Sequence, residues 1–332
     1  MGHLEKVGDL PKLRQNSNIG GQIGNTNSFQ PDFRIVSRTM LEQAVYRQGP
    51  LALRFWGARG SYPVPGPATI RYGGNTPCVE FRLGQTLFIV DAGSGIEALG
   101  RTLRANPPAE VNILLSHLHH DHVSGLPFFA PALNPNCLIR IFCGNLGGAS
   151  AQAALDQMFS PPLFPMRLAD LPAKFEFVGF NAGETLHFDD CISVKTCPLD
   201  HPGGATGYAF EHGGRRVCYV SDMEHQADGP APRLVKFCAD ADLLIYDSMF
   251  TDQQYRACKG WGHSTWREGV KLCRAANARN LAAFHHNTIH DDDRLDLIGA
   301  QLGEAQPGSF VAREGVELVL ANHAEMTRSL AS

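Results

Sequence analysis

The 332 residues predict an α/β domain built as an αββα sandwich, two mixed β-sheets packed face to face and flanked by helices. Three observations support this. After Pro50, apolar runs of strand length alternate with helix-length segments, which suits mixed sheets covered on their outer faces. Gly213-Gly214 stands between two strand-like runs, a hairpin signal. Before residue 48 the pattern is missing: Asn16 to Ser28 is polar, glycine-rich and without period. The chain therefore divides into a flexible N-terminal extension, 1–48, and one folded domain, 49–332.

Within the domain, residues 51–56, 78–83 and 86–90 read as strands and 94–104 as a helix. The apolar run 111–115 is a buried strand, followed by a strand at 138–143 and a helix at 149–159. Five more strand-like runs lie between 175 and 247. The last third alternates helix (264–276), strand (281–285), helix (291–303) and strand (316–321).

Composition narrows the function. A formal net charge of −4 argues against a broad electrostatic grip on nucleic acid. Nine dispersed cysteines, with no C-x-x-C pair, argue against a disulfide scaffold or a cysteine zinc knuckle. No apolar segment approaches the length of a membrane span and no signal-peptide core is visible, so a cytoplasmic protein without a membrane partner is expected. A homodimer is admissible.

The chemistry begins at Ser116-His117-Leu118-His119-His120-Asp121-His122, which holds four of the 14 histidines. In an extended segment side chains alternate, so His117 and His119 face one side. The chain then turns, and Asp121 and His122 can face a second position. Two imidazoles for one cation, with a carboxylate and an imidazole for another, make half of a two-metal site. Further along, His201 follows the strand-like run 192–197, Asp222 follows 216–220 and His285 follows 281–284. A carboxylate ending a buried strand needs a charge partner, which Asp222 would find in a cation. Alternation lets only one of His285 and His286 face the site. His120 points away from His119, and His187, His212, His225, His290 and His323 read as ordinary surface histidines.

This order of motifs resembles the metallo-β-lactamase superfamily over about residues 51–321. The resemblance implies the αββα fold, with His117, His119 and His201 on one metal, Asp121, His122 and His285 on the other, and Asp222 between them. It also favours His285 over His286. Two divalent cations are implied, zinc first, although an all-N/O donor set suits manganese or iron as well. Redox members of the superfamily carry Glu where His119 stands, so hydrolysis is expected here, by an activated water between the cations. Val90-Asp91-Ala92-Gly93 places a carboxylate where it can fix the tautomer of a ligand imidazole, or merely open a helix. Asn75 sits in a turn from which it could face the site.

Tyr246-Asp247-Ser248 and Gly262-His263-Ser264-Thr265 resemble late motifs of the ribonuclease Z branch. Carried over, Asp247 orients His263, which protonates the leaving oxygen or binds a phosphate oxygen. Asp121, His263 and Asp247 are thus the catalytic candidates, and a phosphodiesterase is the expected enzyme. Two departures bear on the substrate. The branch has Glu where this chain has Asp247, which shortens the reach to His263. A basic arm is not evident either: residues 144–190 hold only Arg167 and Lys174 as cations, and the stiff, apolar Phe159–Pro165 stretch suits either a nucleobase or plain packing. Small cyclic or linear phosphodiesters are therefore expected rather than transfer RNA, with no extended nucleic-acid surface. The alternatives are a lactonase or thioesterase on the same metals, or a nucleotide-binding sensor without chemistry.

Overall fold

The computed structural model describes residues 34–35, 49–188 and 192–321. Most of the expected extension, together with Cys191 and His323, lies outside the described residues.

One sheet holds β1 (Arg34–Ile35), β2 (Leu51–Gly57), β3 (Cys78–Leu83), β4 (Thr86–Val90), β5 (Glu110–Leu115), β6 (Leu138–Cys143), β7 (Lys174–Gly179) and, from the end of the domain, β15 (Glu317–Leu320). Its order is β1-β15-β2-β3-β4-β5-β6-β7. The other holds β8 (Thr185–His187), β9 (Ser193–Leu199), β10 (Ala205–His212), β11 (Arg215–Val220), β12 (Leu243–Asp247), β13 (Asn280–Phe284) and β14 (Phe310–Val311), in the order β14-β13-β12-β11-β10-β9-β8. Strands β4 to β7 run parallel, as do β11 to β14. Both sheets are therefore mixed. Every residue of β12 and β13 is buried, because helices cover one face and the opposite sheet the other, so these strands read as unbroken apolar runs. The glycine pair closes the β10–β11 hairpin with φ of 59° and 75°, the left-handed values that a tight turn of right-twisted strands requires.

Six strands rather than five occupy residues 174–247. A three-residue strand such as β8 is too short to carry a period. For the same reason the two-residue β1 and β14 left no mark on the sequence.

The core between the sheets is aromatic: Phe81 and Phe210 stack at 4.1 Å, and Tyr219 meets Phe284 at 5.6 Å. Two of its tyrosines also carry polar tips across the gap. Tyr208 Oη donates to the Leu115 carbonyl at 2.6 Å, and Tyr219 Oη to Asp91 Oδ2 at 2.7 Å. Both bonds fall where β4 and β5 end, so they pin the two sheets together at one edge.

Helices α1 (Ile96–Leu103), α2 (His120–Val123) and α3 (Gln152–Met158) belong to the first half, and α4 (Pro232–Phe237), α5 (Asp252–Cys258), α6 (Trp266–Ala275) and α7 (Asp292–Ala305) to the second. α1 buries Ile96, Leu99 and Leu103, while α6 and α7 bury Val270, Leu272, Leu295, Ile298 and Leu302. The turn expected inside the histidine motif is α2, a single helical turn. The eight described cysteines are free. No helix among the described residues is long and apolar enough to cross a membrane.

Candidate metal centre

The site lies beyond the carboxyl ends of β4, β5, β9, β11, β12 and β13, the edge where open α/β sheets leave a crevice. Three of its residues, Asp91, Asp222 and His285, have φ of 62°, 58° and 59°. The left-handed region costs a side chain about 1–3 kcal/mol, and such strain persists where the surroundings over-determine it. Here each reversal turns a side chain back over the end of its own strand, into the crevice.

The structure brings all seven residues of the expected metal set together. His117, His119 and His201 place ring nitrogens within 4.8 Å of one another. His119 Nδ1 and His201 Nε2 are 3.1 Å apart. Asp121, His122 and His285 form a second group on the same criterion. His285 Nε2 lies 3.3 Å from Asp121 Oδ2, and His122 Nε2 3.4 Å from that atom. Asp222 faces both groups, with Oδ2 3.3 Å from His122 Nε2 and Oδ1 3.3 Å from His285 Nε2 and 4.0 Å from His117 Nε2. Backbone alternation separates the adjacent pair as expected: His286 is buried on the other side, with Nε2 2.7 Å from the Ala312 carbonyl oxygen.

Neighbours fix how the rings present themselves. Asp91 Oδ2 accepts from His122 Nδ1 at 2.8 Å while Oδ1 accepts from Ser116 N at 2.7 Å. Asp91 therefore orients an imidazole and does not cap a helix. His201 Nδ1 donates to the Gly262 carbonyl at 2.8 Å, which leaves Nε2 facing His119. The Ser61 amide donates to Asp121 Oδ2 at 2.7 Å.

Whether cations fit can be judged from charge and orphaned atoms. Asp91, Asp121, Asp222 and Asp247 are all buried, whereas His117 Nε2 and His122 Nε2 are buried without a hydrogen-bond partner. Burial pushes the pKa of His117 well down, and those of His119 and His201 down, so these rings are neutral donors. Burial disfavours charge on Asp121 and Asp222 too, yet His122 and His285 outweigh it and hold both acids below the usual carboxylate range. Burial likewise opposes charge on His122, but Asp222, Asp121 and Asp91 raise it well above the usual imidazole value. Buried carboxylates with imidazole nitrogens aimed between them are a donor set that divalent cations satisfy.

Beside this cluster, His263 Nδ1 donates to Asp247 Oδ2 at 2.8 Å, and the His263 ring stacks on His285 at 5.0 Å. Asp247 Oδ1 accepts from the amides of Met249 and Ser264 at 3.1 and 3.2 Å, which fixes the carboxylate. Burial works against charge on His263, but Asp247, with Asp222 and Asp121 behind it, raises its pKa to about 9.

Several secondary expectations need correction. Asn75 does not face the site: its Nδ2 donates to Glu314 at 3.0 Å and its Oδ1 accepts from Ser94 at 2.9 Å. His290 is buried and its Nε2 lies 3.0 Å from Gln254 Oε1, while His225 Nδ1 meets Ser264 Oγ at 2.9 Å, so neither is an ordinary surface histidine. The proline-rich stretch is packed only in part: Phe159 and Phe164 meet each other at 5.7 Å, whereas Leu163 stands exposed. One contributor escaped sequence reasoning. Glu224 accepts from the amides of Gly260 and Gly262 at 2.7 and 2.9 Å and from Tyr255 Oη at 2.8 Å, and so holds the loop that presents Gly262 and His263. Its only sequence signal was a position two residues beyond Asp222.

Residues 86–286 match the family described as the beta-lactamase superfamily domain. A ribonuclease Z of Gemmatimonas aurantiaca is 23% identical over 335 aligned positions, covering 82% of this chain and 96% of the relative. Among solved structures, the metallo-β-lactamase fold protein YhfI from Bacillus subtilis superposes with a TM-score of 0.59 at 21% identity, over 81% of this chain and 98% of that one. The short form of human tRNase Z superposes with a TM-score of 0.57 at 19% identity, over 81% and 99%. The fold is therefore the metallo-β-lactamase fold. The ribonuclease Z and tRNase Z relatives, ribonucleases by name, overturn the expectation of a small-molecule partner without a nucleic-acid surface. Net charge and the cation count of one segment average over a surface, whereas the field in a crevice depends on the few charges beside it.

Proposed function

The chain belongs to the beta-lactamase superfamily and is a metal-dependent hydrolase, and from that premise we propose that it cleaves phosphodiester bonds in RNA. His117, His119 and His201 would hold one divalent cation, Asp121, His122 and His285 a second, and Asp222 would be shared. Zinc suits these nitrogen and oxygen donors. Cations bound there supply Lewis acidity and bring the pKa of a water to about 7.

The observation that carries the choice of bond is the Asp247–His263 pair beside the cluster. Asp247 holds His263 by Nδ1, which favours the protonated ring and leaves Nε2 free to face a substrate. A cationic imidazole there pairs with a phosphate oxygen and can give its proton to the departing alkoxide. Ester or thioester cleavage at activated bonds has less need of such a donor. General acid help of this kind contributes about 10²–10⁴-fold.

The test is direct. Purified protein supplied with zinc or manganese is assayed on transfer-RNA transcripts extended at either end, on bis-p-nitrophenyl phosphate and on a lactone. Turnover of the phosphodiesters, lost on chelation, is the expected result. Turnover of the lactone alone would replace the reading with a carboxylic-ester hydrolase.

A further inference from the structure

Two large aromatic side chains stand exposed beside the site, on loops that touch opposite halves of it. Trp261 is 63% exposed and Tyr62 57%. Isolated exposed aromatics are ordinary, but these two are tied to the chemistry by short links. Trp261 precedes Gly262, whose carbonyl accepts from His201. Its indole leans on Phe250 at 6.4 Å, and Phe250 meets the His263 ring at 5.9 Å. The indole is thus fixed one ring away from the imidazole next to the cluster. Tyr62 follows Ser61, whose amide donates to Asp121. The segment leading to Trp261 also carries Arg256 and Lys259, both exposed and neither paired with a carboxylate among the described residues.

On the phosphodiesterase reading above, we propose that residues 256–263 form the edge on which an unpaired stretch of RNA lies. The Trp261 indole is a stacking platform for a nucleobase, Arg256 and Lys259 meet the backbone phosphates, and Tyr62 offers a second ring on the Asp121 side of the site. The parts suit single strands rather than duplex. Aromatic faces accept any base once it is unstacked, and a few cations tracking the backbone supply the electrostatics. In A-form duplex the bases remain stacked on one another and unavailable to a protein ring. A single-stranded segment across the crevice would carry one linkage past His263 with a base on either side, so the same contacts would bind and align.

Fluorescence tests this, because Trp56 and Trp266, the other two tryptophans, are buried. Full-length protein in EDTA is titrated with a ten-nucleotide oligouridylate and with the same backbone made abasic. Quenching of tryptophan emission by the first and not the second is expected. Trp261→Phe keeps an aromatic face and should bind within about twofold of wild type by anisotropy of a labelled oligouridylate. Trp261→Leu should weaken binding about 5- to 100-fold. Replacing Arg256 or Lys259 by Gln should reduce the slope of log Kd against log salt by about 0.7 each. Equal affinity of Trp261→Leu and wild type, or equal quenching by the abasic strand, overturns the platform. If wild type still turns over bis-p-nitrophenyl phosphate with metal supplied, only this inference falls. If no phosphodiester is turned over, the functional reading falls with it.

Discussion

Asp247 reaches His263, closing to 2.8 Å, although it has one methylene fewer than the Glu that the resemblance associates with this position. The backbone makes up the difference. Phe250 and Thr265 form an isolated bridge, with the Phe250 amide 3.0 Å from the Ser264 carbonyl, which draws the loop bearing His263 against the end of β12. A longer acid would have to fold back. Replacing His263 by Ala should lower kcat on an RNA substrate by about 10²–10⁴-fold. Asp247→Asn should lose a large part of the same factor. On bis-p-nitrophenyl phosphate, whose leaving group needs little protonation, the His263→Ala loss should be smaller. Equal losses on both substrates would count against a proton donor.

The charge on His263 has its own signature. In EDTA-treated protein, NMR should find its imidazole protonated through neutral pH, losing the proton near pH 9, against an ordinary 6.5. Because the folded-state pKa is the raised one, the stabilisation it brings is complete below pH 6.5 and disappears as pH climbs through about 9. In Asp247→Asn the midpoint should fall toward 6.5. An unchanged midpoint would mean that Asp222 and Asp121 set it.

Metal should stabilise as well as activate, since buried carboxylates repel one another without it. Adding zinc at a hundred times its Kd to chelated protein should add about 2.7 kcal/mol per site to the unfolding free energy. Metal analysis should return two ions per chain in wild type. Asp222→Ala should disturb both sites, because this residue faces both groups. Loss of a single ion from this variant would show that Asp222 serves one cation only.

Asp91 meets His122 directly and reaches His117 only through Ser116 Oγ, which lies 2.9 Å from Asp91 Oδ2 and 3.1 Å from His117 Nδ1. Asp91→Ala should cost about 10–100-fold in affinity for the ion that His122 binds, the usual range for a group that orients a ligand. Titration calorimetry checks this. The other ion, linked to Asp91 only through Ser116 and His117, should lose less.

Gly262 allows no side chain. Its φ is 85°, and a Cβ there would lie 2.5 Å from His201 Nδ1, in the path of the hydrogen bond that orients the ring. Gly262→Ala should therefore weaken the ion on His117, His119 and His201 and displace His263 with it. Activity should fall by about 10–100-fold, and Tm should fall as well, because the left-handed φ strains a side chain and a weakened ion stabilises the fold less. A variant with full activity would show that the Gly262 carbonyl has no part in setting His201.

Much of this protein is legible along the chain because the relevant physics is local. Strands buried on both faces are apolar runs whatever they pack against, and a hairpin with two left-handed residues calls for glycine. The spacing of His117, His119, Asp121 and His122 needs only an extended segment and one turn to divide them into two groups. What the chain alone left open depends on which segments meet. Strand alternation permits either His285 or His286, and only the end of β13 packed against the Asp121 loop selects the first. Asp91 could cap a helix or orient a ring until β5 places His122 beside it. Glu224, Tyr62 and Trp261 carry no motif at all, because pinning a loop and standing exposed beside a crevice are properties of neighbours far away in sequence. Neighbours of that kind are set by the packing of two sheets, and no period in a single strand records them.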